Sequence, residues 1–130
     1  MPFDAQAIFA NLAEKERIKG HHSAEGRAIR VLSRALSGWS AGTLSRSDVV
    51  VLCDQAVADW LNARLKKSSW SIQSVPQLVP VALAAQWITE ADAERLRSVH
   101  TLRTGDAAEI AAREVEAALE FCIELIEKHW

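Results

Sequence analysis

The stretch Asp48-Val49-Val50-Val51-Leu52-Cys53-Asp54-Gln55-Ala56-Val57-Ala58-Asp59-Trp60-Leu61 decides the fold class. Its three consecutive valines favour a strand. Its apolar positions do not: Val49, Leu52, Cys53, Ala56, Val57, Trp60 and Leu61 recur every three to four residues for three turns beyond the valines. That period belongs to one face of a helix, so the valines form its first turn, with Ser45 or Ser47 as the cap in front.

The same period extends in both directions. Ala5, Ile8, Phe9, Leu12 and Ala13 predict a first helix with Asp4 as N-cap. Ala28, Val31, Leu32, Ala35, Leu36 and Trp39 predict a second, started by Ser23 and ended near Gly38 and Gly42. Residues 66–80 break the pattern, because Lys66-Lys67-Ser68-Ser69 is polar and Pro76 and Pro80 oppose a continuous helix. An extended loop or very short strand is expected there, with a helix resuming by Pro80 and reaching Trp87 or Ile88. Thr89-Glu90-Ala91-Asp92 reads as an N-cap with an acidic first turn, opening a helix to about Arg103.

Gly105 is expected to end that helix in a left-handed conformation, with Asp106 and Glu109 capping the next. The last helix is then predicted from Ala107 nearly to Trp130. Ala108, Ala111, Val115, Ala118, Cys122 and Leu125 form its stripe, with Leu119, Ile123, Ile126 and Trp130 beside it. So wide an apolar face needs several neighbours, or a bundle plus a dimer partner. The expected architecture is an all-α, single-domain bundle of five or six helices spanning residues 1–130.

Composition narrows the function classes. The chain has 130 residues, 49% apolar and 25% charged, as in a soluble globular domain. The net charge of −2 excludes a uniformly basic nucleic-acid coat. Two cysteines are too few for a disulfide scaffold, no run reaches a membrane span, and the start lacks signal-peptide character, so a cytoplasmic protein is expected. The absence of tyrosine excludes any phenol chemistry. Residues 1–70 carry ten Lys/Arg against seven Asp/Glu, whereas residues 71–130 carry five against ten. Two solvated helix faces of opposite sign, a polar partner surface, or head-to-tail contact between copies would each account for this asymmetry.

Chemistry concentrates before the last turn. Leu96, Val99 and Leu102 form the apolar stripe of the fifth predicted helix, and His100 and Arg103 sit together on its edge, flanked by Arg95 and Arg97. A guanidinium facing a core is costly unless paired or wet, so Arg103 pairs with an acid, snorkels to solvent or lines a cleft. Arg27, Arg30 and Arg34 follow one outer face of the second helix, a solvated stripe or a phosphate-binding one. Trp70 is a candidate stacking surface. Cys53 and Cys122 fall on apolar stripes and read as core thiols. His21-His22 with Glu25 lacks a third ligand at regular spacing, and His129 suits the end of a helix, so neither a metal nor a cofactor is expected.

The segment Leu96-Arg97-Ser98-Val99-His100-Thr101-Leu102-Arg103, preceded by Trp87-Ile88-Thr89-Glu90-Ala91-Asp92-Ala93 and followed by the long closing helix, resembles a HEPN (higher eukaryotes and prokaryotes nucleotide-binding) domain. Asp59-Trp60-Leu61-Asn62-Ala63-Arg64-Leu65 suits the long helix of that fold. The order is compatible from about Ala28 to Trp130, and most closely over 45–130. The resemblance implies RNA-related or defence biology of the toxin–antitoxin type, homodimerisation through the last two helices, and an Arg–His pair for metal-independent RNA cleavage. Arg103 would stabilise the phosphorane and His100 would act as acid or base.

The motif is degenerate here. With Arg103 as the family arginine, the histidine position falls on Ala108, Glu109 or Ile110, and Thr104 stands where Asn is usual. Arg95 to His100 has the literal spacing, but five residues of helix turn about 500° and leave the side chains about 140° apart. RNA binding is therefore expected over cleavage, with Arg95, Arg97, Trp70, Arg27, Arg30 and Arg34 as contacts. The alternative is a non-catalytic, homodimeric protein–protein interaction module, possessing a cognate protein partner and no salt-sensitive RNA affinity.

Overall fold

Ser45, not Ser47, starts the helix that contains the valine run. The computed structural model describes residues 5–20, 23–65, 74–105 and 110–128. Those residues form six α-helices and no strand: α1 (Ala5–Lys19), α2 (Ala24–Ala41), α3 (Arg46–Arg64), α4 (Val75–Ala84), α5 (Glu90–Thr104) and α6 (Ala112–Lys128). None is long and apolar enough to cross a membrane.

The helix starts are set locally. Ser23 Oγ accepts from Gly26 N at 2.8 Å and Ser45 Oγ accepts from Asp48 N at 3.1 Å. Thr89 and Asp92 form a reciprocal capping box, each backbone N–H donating to the other's side chain at 3.1 Å. Gly42 ends α2 at φ +71°, in the left-handed region.

α3 is the central element, packed against α2, α4, α5 and α6, while α1 lies on α2. Val49, Val50, Cys53, Ala56, Val57, Trp60 and Leu61 of α3 are buried and Leu52 is partly buried, so two of the three strand-prone valines sit in the core as helix. The apolar face of α6 is buried within one chain, from Val115 to Ile126. Its width is thus covered by α2, α3 and α5. On α1 only Leu12 is fully buried and Ile8 packs beside it; Phe9 and Ala13, expected on the same buried stripe, are exposed. A helix touching mainly one neighbour hides a narrower strip than its sequence stripe offers.

Three expectations need correction. α4 begins at Val75, before Pro80, and ends at Ala84 rather than Trp87. Pro76 occupies the first turn, where its missing N–H costs nothing, and Pro80 inside the helix is exposed, where its ring meets no packed neighbour. Gln86 then takes φ +61° and Trp87 N donates to Ala82 O at 2.9 Å, closing the helix as a Schellman turn. Gly105 is extended at φ −86°, ψ −169°, not left-handed.

The last helix starts at Ala112, five residues later than expected. Ile110 is drawn into the core, at 3% exposure, and Arg46 Nη1 of α3 donates to its carbonyl at 2.9 Å. Glu114 supplies a cap there, accepting from Ala111 N at 3.0 Å. Asp4, Asp106, Ala108, Glu109 and Trp130 lie outside the residues whose side chains are described, as do residues 66–73, where a loop or very short strand was expected.

Candidate nucleic-acid interface and the Asp54 cluster

α5 and α3 cross so that the edge of the α5 stripe meets one acid in the core. Asp54 is 1% exposed, yet it accepts from Arg103 Nη1 at 2.8 Å and bonds His100 Nδ1 at 3.2 Å through both oxygens. Of the three fates open to Arg103, pairing with an acid is the one adopted. The pairing nearly neutralises a carboxylate that burial alone would make costly.

Asp54 was the residue that sequence reasoning passed over, although a signal existed. Val50, Asp54, Val57 and Leu61 follow helical spacing, so the acid stands inside the apolar stripe of α3. A carboxylate in one stripe and an Arg–His pair on the edge of another are complementary defects, and each explains the other.

The chemistry of the cluster follows from its protons. The Asp54 carboxylate can only accept, so His100 Nδ1 donates to it and the bond fixes the orientation of the ring. This is the arrangement that orients a general base. The cation beside it is largely spent, however: the Arg103 charge is compensated by Asp54, so an incoming phosphate meets a pair close to neutral.

The other arginines of α5 are also engaged inside the chain. Arg95 lies 4.6 Å over the Phe121 ring and 3.6 Å from Glu124, and Arg97 lies 3.7 Å from Glu94. Between α5 and α6 runs a groove of about 530 Å³ floored by Val99, Leu102, Ala118 and Phe121, with these charges at its rim.

α2 presents a different surface. Arg27, Arg30 and Arg34 are all exposed on its outer face. Burial raises the Asp59 carboxyl above its ordinary value, and the nearby Arg27 charge opposes that rise. Arg30 and Arg34 have no acidic partner among the described residues. The structure therefore separates the two arginine sets: α5 holds neutralised ones and α2 holds available ones.

The remaining candidates resolve simply. Cys53 and Cys122 are buried free thiols. A hydrogen bond to Cys53 and burial push the Cys122 thiol well above its ordinary value, so no thiolate forms there. Among the described residues no cluster of three metal-ligating side chains occurs. Trp70, His21, His22 and His129 lie outside the described residues. Against protein-family models, curated proteins and solved structures, the chain finds no match.

Proposed function

We propose that the chain is a HEPN-like domain of RNA-related or defence (toxin–antitoxin type) biology that binds RNA rather than cutting it. The observation that carries this reading is the division of the arginines. Arg103 and His100 share the buried Asp54, whereas Arg30 and Arg34 stand exposed on α2. Metal-independent cleavage needs a cation free to meet the phosphorane, and Arg103 already neutralises a carboxylate. Binding needs only cations that release counterions from phosphates, which the α2 stripe supplies.

The test measures RNA affinity against salt, together with cleavage. The expected result is salt-dependent binding with no strand scission, and a salt slope reduced by about two in Arg30→Ala/Arg34→Ala. Cleavage by the native chain that disappears in both Arg103→Ala and His100→Ala would overturn the non-cutting reading.

The groove between α5 and α6 favours a second reading, a homodimeric interaction module without RNA affinity. Its apolar floor and mixed-charge rim suit the equivalent helices of a second copy. Sedimentation equilibrium and RNA titration together decide it: a dimer abolished by Leu102→Glu with no salt-sensitive RNA affinity supports this reading, and a monomer at all concentrations removes it.

A further inference from the structure

Phe9 and Ile18 are the large apolar side chains that stay exposed among the described residues, at 45% and 59%. Phe9 is the more telling because of where it stands. It borders two hollows along the seam of α1 and α2, of about 430 and 390 Å³. The larger hollow is lined by Arg30 and Arg34, with the hydroxyls of Ser33, Ser37 and Thr43 between and beyond them. Ser33 adds an unusual feature: the residue is only 8% exposed, and its Oγ is buried with no hydrogen-bond partner. That unused donor belongs to a residue that lines the hollow.

We infer that this seam is a stacking site for single-stranded RNA, with one base on the Phe9 ring and the adjoining backbone phosphates on Arg30 and Arg34. An exposed aromatic beside cations is the combination that single-strand sites use, because every base offers a π-face and every nucleotide a phosphate. Arg30 and Arg34 are one helical turn apart, about 6 Å along the axis, so they follow a strand rather than clasp one ion. Glu16 stands on the same hollow and lowers its appeal for a small free anion. A nucleotide offsets that repulsion through stacking, and its hydroxyls and base edges give the serine and threonine hydroxyls partners. A duplex keeps its bases stacked on one another and cannot offer a face to Phe9.

This inference rests on the RNA-binding reading and adds the strand type and the stacking residue. The test uses the full chain, a fluorescein-labelled oligo(A) ribonucleotide and an RNA duplex of equal length. Phe9→Ala should weaken single-strand binding about tenfold, the effect of one lost base–aromatic stack, and leave duplex binding unchanged. Phe9→Trp should restore single-strand affinity. Arg30→Ala/Arg34→Ala should weaken binding of both probes. Thermal melts of each variant exclude unfolding, which the half-exposed position of Phe9 makes avoidable. If the native chain binds oligo(A) and Phe9→Ala binds it equally, the stacking site is wrong and RNA binding stands. If the native chain binds neither probe, the RNA reading falls and takes the stacking site with it.

Discussion

Arg103 Nη1 donates to Asp54 Oδ2 at 2.8 Å, joining a guanidinium whose side chain is 41% exposed to a carboxylate at 1%. The two residues are 49 positions apart, so the bond locks α5 onto α3. It makes the most chemical-looking segment of the sequence part of the scaffold as well.

Arg103→Ala should therefore destabilise the fold by about 2 kcal/mol, the scale of a charge-assisted bond whose loss strands a buried acid. Asp54→Asn in the same chain should relieve much of that loss, because an amide tolerates burial better than a carboxylate. Urea unfolding of the two single variants and the double variant tests this. Additive changes, within about 0.3 kcal/mol, would mean the two residues do not act as a pair.

Asp92 predicts a specific acid response. Burial pushes its carboxyl up, but hydrogen bonds from Lys128 Nζ at 2.9 Å and from Thr89 N outweigh it and hold the carboxyl below its ordinary value. Its contribution to stability is thus complete above the ordinary carboxylate range and lost as pH falls through the lowered value, below about pH 4. Lys128→Met removes the main opposing charge. It should lower the unfolding free energy slightly at pH 7, by about 0.5 kcal/mol given the half-exposed lysine. It should also flatten the acid limb of stability against pH. An acid limb identical to that of the native chain would contradict the assignment.

The turn between α1 and α2 depends on a missing side chain. A Cβ on Gly26 would collide with the backbone carbonyl of Gly20, which cannot swing away as a side-chain tip could. Gly26→Ala should cost about 2 kcal/mol and separate α1 from α2. Gly42 has open space around it and φ +71°, so Gly42→Ala should cost about 1 kcal/mol, from backbone strain alone. Denaturant titrations that rank the two in the opposite order would refute the packing argument.

Gln86 offers a gain. It is the non-glycine residue at positive φ among the described residues, at the left-handed position that closes α4, and its side chain is exposed. Gln86→Gly should stabilise the chain by about 0.5 kcal/mol, glycine's relief of left-handed strain being partly offset by its greater unfolded-state freedom. A lower melting temperature would show that the glutamine side chain has a stabilising contact there.

The legible part of the site was its α5 half. His100 and Arg103 stood out because they interrupt an apolar period, and the structure does bring them together. Their partner was legible on the same grounds, since Asp54 interrupts the apolar period of α3. The last helix was misjudged at its start because Asp106 and Glu109 satisfy a local capping pattern. The competing pull, Ile110 into the core with its carbonyl bonded to Arg46, comes from a residue 64 positions away.

By itself the sequence determined what is local: the helical period of each segment, the caps at Ser23 and Thr89, and, to within a few residues, a serine before α3 and a glycine after α2. Those depend on hydrogen bonds that reach three or four residues. Tertiary structure decided which faces meet. It buried Asp54 and so consumed Arg103, covered the broad face of α6 from within the chain, and left Phe9 bare beside Arg30 and Arg34. The physical reason is that a stripe records only what a helix could bury. What it does bury, and which charges remain for a partner, depends on how many neighbours reach it.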